Sequence, residues 1–314
     1  MTVTWDEDLD VILAGDLTAA LGYRTPAAGV VVQAVAPIGL RDREKGTLGF
    51  TTSFGFSKKL ERIAADPRVA MAFHAREHGT ARGTRYVLAQ GTARVIEKPS
   101  DAQRSLVRAR ATEHLGAPGE GFFWDRWLRE YYVSRVPVEV TLTRILTWPT
   151  LDAAGPPRVA AGEPLPAQPA APQRLPKNGI GPRIDVSRAA SRLHGTAHVL
   201  LGYAGADGAP VVVPVNLDGD DERGLTLTSA TSLPPDGRRA GLLGHSYEPQ
   251  LIGLRTRQHT GWLEVGADAR ARYAPHTETG YRAPANKTLL LLLNGALAKR
   301  GVRRAAKTEA KAKR

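Results

Sequence analysis

The sequence predicts a mainly β protein with short helices, built as two small antiparallel barrels in tandem. Three observations carry this: an internal repeat, a proline-rich interval between its copies, and apolar runs that alternate with polar residues between turn signals. LGYRTPAAGVVVQAV, from Leu21, aligns without a gap with LGYAGADGAPVVVPV, from Leu201. Upstream, Leu13 and Gly15 match Leu193 and Gly195. Downstream, TLGFTTS (47–53) resembles GLTLTSA (224–230), and Lys58-Lys59 falls on Arg238-Arg239. DPRVAMAFHAR then resembles EPQLIGLRTR, and GTARV (91–95) resembles GWLEV (261–265). Six matches in one order indicate a duplicated domain.

Residues 149–182 hold nine of the 22 prolines. Such a segment is extended and forms neither a helix nor a central strand. The expected organisation is therefore unit one over 1–150, a linker over 151–183, unit two over 184–298 and a basic tail over 299–314.

Each element has a local reason. A short helix ends at Gly15 in unit one and at Gly195 in unit two. The strands VVVQAV and TLGFTTS follow, the second with Leu48 and Phe50 on one face. Ser57 is a good helix N-cap, and the helix it opens runs to Ala65, where Asp66-Pro67 stops it. RVAMAFHA and YVLAQGTARVI read as strands, and SLVRARATEHL as a helix. In GFFWDRWLREYY, Trp124, Trp127, Tyr131 and Tyr132 recur at helical spacing and read as a packing stripe. The unit closes with VPVEVTLTRILTW, where Val138, Val140 and Leu142 alternate.

Composition excludes several functions. With no cysteine there are no disulfides, thiolate metal sites or cysteine nucleophiles. MTVTWDEDLD is acidic and unlike a signal peptide, and the longest apolar run, TLLLLLNGAL, is too short to span a bilayer. A soluble, cytoplasmic protein is expected, with no membrane partner. The net charge is +12, but residues 299–314 carry eight Lys/Arg against one Glu. The body is only mildly basic, so the tail reads as a solvated extension rather than a nucleic-acid arm.

One stretch breaks a local rule. In SFGFSKKLERIAADPRV, Lys58 and Lys59 stand in the first helical turn, where free N–H groups and the helix dipole favour anions. An anion docked there removes the conflict.

The order of strand, strand, basic helix, Asp-Pro-Arg-Val strand and Gly-Thr-Ala-Arg-Val strand resembles the flavin-binding split-barrel family of pyridoxamine 5'-phosphate oxidase. Lys59, seven residues before Asp66, fits that family's pattern. The match is specific from about Val30 to Val95 and weaker in unit two, where arginine replaces lysine and Glu248-Pro249 replaces Asp-Pro. The resemblance implies a split β-barrel that works as a dimer with flavin at the interface, so that a tandem copy forms an intrachain pseudo-dimer. It further implies that Lys59 pairs with the flavin phosphate, with Lys58 nearby and Thr51, Thr52, Ser53 and Ser57 supplying hydroxyls. Arg238 and Arg239 would mark a second phosphate site or a degenerate copy. Trp262, grouped with His245, Tyr247 and His259, reads first as core or rim packing, with stacking on an isoalloxazine ring or flat substrate as the functional alternative.

Other patterns carry less. His194 and His198 have metal-pair spacing, but Gly195 between them ends the helix, leaving His194 as a C-terminal cation. Gly202, Gly205 and Gly208 fall in a hairpin turn with no helix behind them, which discounts a dinucleotide loop. The expectation is an FMN-dependent oxidoreductase acting on a small organic substrate, as a monomeric pseudo-dimer or homo-oligomer. The alternatives are a deazaflavin-dependent reductase, a haem-binding split barrel and a non-catalytic binding protein. No metal site or catalytic base is assigned.

Overall fold

The computed structural model describes residues 2–53, 57–116, 135–168, 170–266 and 270–286. The aromatic stripe Trp124–Tyr132, the apolar run at 288–297 and the basic tail lie outside the described residues.

Unit one contains α1 (Glu7–Gly15), β1 (Ala19–Arg24), β2 (Val30–Val35), β3 (Arg41–Asp42) and β4 (Thr47–Ser53). It continues through α2 (Ser57–Ala65), β5 (Arg68–Phe73), β6 (Tyr86–Val95), α3 (Asp101–Leu115) and β7 (Arg135–Trp148). Its antiparallel sheet runs β2-β1-β5-β6-β7-β4-β3. The sheet curls so that β2 and β4 approach each other.

Unit two contains α4 (Val186–His194) and seven strands. These are β9 (His198–Ala204), β10 (Pro210–Pro214), β11 (Asn216–Asp221), β12 (Gly224–Thr228), β13 (Asp236–Ser246), β14 (Arg255–Val265) and β15 (Ala271–Arg282). Their order, β10-β9-β13-β14-β15-β12-β11, repeats that of unit one strand for strand. The protein is mainly β, with two tandem sheets facing each other as a pseudo-dimer.

Three apolar cores follow from the strand period of two. One face of β1 and β5 sends Leu21 and Met71 into barrel one, beside Phe50, Ile63 and Val138. The opposite face sends Ala20, Ala70 and Ala72 into a core shared between the units, with Val32, Leu200 and Val212. Strands covered on both faces read as continuous apolar runs, as RVAMAF does. Barrel two has its own core around Leu201, Leu227, Leu242 and Tyr273.

Contacts across the shared core are reciprocal. A Cβ on Gly22 would stand 2.8 Å from Val212 Cγ2, and one on Gly202 would overlap Val32 Cγ2. Each glycine admits the valine equivalent to its own neighbour's, as a two-fold interface requires. The Tyr86 hydroxyl donates to Val212 O at 2.6 Å, and Gln90 Nε2 donates to Pro210 O at 2.6 Å.

The register corrects two of the six sequence matches. Gly22 pairs with Ala70, and Gly202 pairs with Gly241. The strand RVAMAF of β5 therefore corresponds to RAGLLG of β13, not to the EPQLIGLRTR region. TLGFTTS and GLTLTSA do occupy equivalent strands, and GTARV and GWLEV follow matching bulges at Gln90/Gly91 and Thr260/Gly261. The displacement arises because β12 reaches β13 through residues 229–235 without a helix. Unit two has no α2, so Arg238 and Arg239 lie on a strand and are not the counterparts of Lys58 and Lys59.

The proline-rich segment is also more ordered than its composition predicts. Residues Arg158–Gly162 form β8, an edge strand on β7. Ala153 is fully buried in the shared core, and Gln173 N donates to Gly237 O at 2.9 Å.

Around Lys177 the chain is exposed. Proteolytic nicking there should leave two fragments that co-elute at the intact size at neutral pH, because the shared core rather than the connection joins them. Separation into two stable monomers on a sizing column would contradict this.

Candidate functional site

The mouth of barrel one is built by the end of β4 and the start of α2. Over residues 58–65 of α2, Ile63 and Lys59, one turn apart, are the buried positions, so a lysine occupies a core position of the helix. Lys58 is exposed, whereas Lys59 is 6% exposed and its Nζ lies 5.8 Å from the Phe50 ring centroid. Burial, and secondarily the charge of Arg135, push the Lys59 ammonium down to about 7. Arg135 opens β7 opposite Ser53, and its Nη1 donates to Thr51 Oγ1 at 3.1 Å. Thr52 is buried, and its hydroxyl has no partner among the described residues. Ser53 ends β4 and Ser57 opens α2. Arg62, on the same helix, hydrogen-bonds the buried Tyr23 hydroxyl.

This arrangement brings Thr51, Thr52, Ser53, Ser57, Lys58 and Lys59 to one end of the barrel and adds Arg135. Lysine, guanidinium and an unpartnered hydroxyl together form a donor set suited to a phosphate. Arg135 carries no local sequence signal and is brought in by strand pairing across 84 residues of chain.

In unit two the expected site residues are used differently. Arg238 is fully buried, and its Nη2 donates to Pro235 O at 2.5 Å and Ala170 O at 3.2 Å. Arg239 Nη1 donates to Arg174 O at 3.0 Å, and its guanidinium lies 5.8 Å from the Trp262 ring. Both arginines thus hold the linker. Trp262 is buried beneath Arg239 and lines a cavity of about 670 Å³ with linker residues Ile180–Pro182.

The aromatic group expected around Trp262 is divided. His245 and Tyr247 lie elsewhere, against His74 and His198. His74 Nε2 contacts His245 Nε2 at 2.7 Å, and the His198 ring lies 5.3 Å from His74 and 5.1 Å from His245. A cavity of about 450 Å³ borders His74, Glu77, His194 and His198. His194 ends α4 while His198 begins β9, so they form no helical pair. Among the described residues no group of three or more His, Asp or Glu is arranged to hold a metal ion.

No protein-family profile matches the chain, and no curated protein sequence matches it. Solved structures do resemble it. One is a Clostridium acetobutylicum protein of the pyridoxinephosphate oxidase family, 8% identical, covering 50% of this chain and 92% of its own, with a TM-score of 0.33. A FAD-binding protein of Mesorhizobium loti is 20% identical, covering 47% of this chain and 97% of its own, with a TM-score of 0.31. A pyridoxamine 5'-phosphate oxidase-related, FMN-binding protein of Nostoc punctiforme is 9% identical, covering 64% and 87%, with a TM-score of 0.30.

The Lys59 environment makes a stability prediction. The folded value near 7 lies below the unfolded value of 10.5. Between these the unfolded chain binds the extra proton, so stability rises with pH, and the cost of burying the lysine is complete below pH 7. Lys59→Met should raise ligand-free stability at pH 7 by at least about 1 kcal/mol, or roughly 2–4 °C in Tm. The advantage should shrink toward pH 10. Thermal melts of both proteins from pH 6.5 to 10 measure it, and a destabilised variant at pH 7 would refute the assignment.

Proposed function

We propose that the chain is a flavin-dependent oxidoreductase that binds FMN with its phosphate at the β4–α2 mouth of barrel one and acts on a small organic substrate. The observation that supports this most is the buried Lys59 beside Arg135 and Thr51. Burial and the nearby charge of Arg135 both disfavour the Lys59 ammonium, and a bound phosphate offsets these and the dipole conflict at the start of α2.

In this reading Lys59 and Arg135 carry the phosphate charge. Thr51, Thr52, Ser53 and Ser57 supply hydroxyls, and Lys58 adds a more distant positive field. FMN would supply the hydride or electron transfer, and the chain its binding, orientation and electrostatics. The duplicated unit then serves as the second wall of the cofactor groove. One cofactor per chain is expected, because Arg238 and Arg239 are engaged with linker carbonyls.

Calorimetric titration with FMN, riboflavin and the deazaflavin coenzyme tests this. Wild type should bind one FMN, and Lys59→Ala should weaken it by about one to two orders of magnitude. Riboflavin, without the phosphate, should be affected much less. Phosphate binding draws a proton onto Lys59, so FMN affinity should fall above pH 7 by up to about tenfold per pH unit. Preference for the deazaflavin coenzyme with the same Lys59 dependence would keep the site and change the cofactor. Unchanged affinity of Lys59→Ala for every phosphate-bearing ligand would remove both.

A further inference from the structure

The histidine contact joins the two units at equivalent positions. His74 follows β5 four residues after Ala70, and His245 follows Gly241 by the same interval on β13, where Ala70 and Gly241 pair with Gly22 and Gly202. The pair therefore lies at the pseudo-two-fold. His74 is 4% exposed and His245 is fully buried.

Hydrogen bonding fixes the protons. His74 Nδ1 lies 3.1 Å from Ala72 O, a pure acceptor, so Nδ1 carries the hydrogen. A neutral His74 then has a bare Nε2, which accepts the Nε2–H of His245 across 2.7 Å. This leaves His245 Nδ1 without a hydrogen, and it has no partner among the described residues. An added proton has no favourable place. On His74 Nε2 it sets two N–H groups against each other. On His245 Nδ1 it creates a buried cation whose added N–H has no acceptor among the described residues.

We propose that the His74–His245 contact is an acid-sensitive latch between the two units, closed at neutral pH and released in mild acid. Burial pushes His74 down to about 3 and His245 well below the ordinary histidine value, with the neighbouring imidazoles adding to both shifts. When the units part, each imidazole regains an ordinary value near 6.5. Below that pH the opened form takes up protons that the closed form refuses, so acid drives opening.

The groups facing the pair set the net slope. From the chain after β5 come Arg76, Glu77 and His78. From β9 comes His198, whose Nε2 lies 3.2 Å from Glu77 Oε2. From the end of β13 comes Tyr247, stacked on His245 with ring centroids 5.9 Å apart. From the α1–β1 connection comes Asp16, bonded to Arg76 and raised to about 8 by burial despite that bond. Asp16 opposes the latch, because below pH 8 the closed form gains its proton. Two histidines against one carboxylate predict an opening constant that rises about tenfold per pH unit below 6.5, or about a hundredfold if Asp16 stays buried on opening.

The absence of cysteine makes the test direct. Ala19 and Ala20 are adjacent on β1 and fully buried, but Ala19 faces the barrel-one core and Ala20 the shared core. Thiol-labelling rates of Ala19→Cys and Ala20→Cys, normalised to free cysteine at each pH, should be compared from pH 7.5 to 5. Labelling at position 20 should rise ten- to a hundredfold per pH unit below 6.5 while position 19 stays protected. His74→Gln/His245→Gln should abolish the rise, since glutamine keeps a hydrogen bond but does not titrate. If that variant does not fold, the contrast between the two cysteines in the histidine background decides alone. Flat labelling at position 20, equal acceleration at both positions, or an unchanged slope in the glutamine variant would overturn the latch.

Discussion

The close approach of the two units through Gly22 and Gly202 is the constraint on which the rest depends. Any side chain on Gly202 would occupy the space of Val32, and one on Gly22 would crowd Val212. Because the backbones come this near, β1, β5, β9 and β13 are covered on both faces, and their alanines and glycines fit a sheet-to-sheet contact rather than a solvated surface. Tyr86 and Gln90 reach across to backbone carbonyls of the second unit. At the rim Arg144, donating to Gln90 Oε1 at 2.5 Å, pairs with Asp207. A polar rim thus surrounds an apolar centre, as in a stable dimer interface. Here the partner is supplied by the same chain.

The fold class was legible because it rests on local signals. The repeat around Leu21 and Leu201, the bulge glycines Gly91 and Gly261, and the two-residue period of β4 and β7 are sequence patterns with direct structural counterparts. Two matches failed for one reason. The nine residues of α2 have no equivalent in unit two, and an alignment that carries the basic pair across that gap slips the strand that follows it. Without the slip, RVAMAFHA meets RAGLLGHS, and the equivalence of His74 and His245 is visible as an apolar run followed by histidine. Trp262 and His245 are only 17 residues apart, yet β14 carries the tryptophan to another face. Arg135 had no signal at all, since only the β4–β7 register brings it to Thr51. The order of the linker was hidden for a similar reason. Proline content predicts an extended path, but not which arginines will bind its carbonyls.

The two barrels solve the same problem at their mouths with different parts. Tyr23 and Tyr203 are equivalent through the repeat, and both phenols are buried beside an arginine. In unit one that arginine is Arg62, delivered by α2, and the same helix lowers Lys59 into the barrel. In unit two the helix is gone, and Arg238 reaches Tyr203 from β13 instead. Its Nε and Nη1 have no partner among the described residues, while Nη2 is spent on Pro235 and Ala170 carbonyls. A buried guanidinium held this way is costly unless its donors are met, and the linker meets part of that need by lying across the strand. The linker segment therefore closes the second mouth as α2 closes the first. The carbonyls of Ala170 and Arg174 accept N–H donors of Arg238 and Arg239, so these cations hold the linker, whereas Lys59 is set into the first barrel by α2.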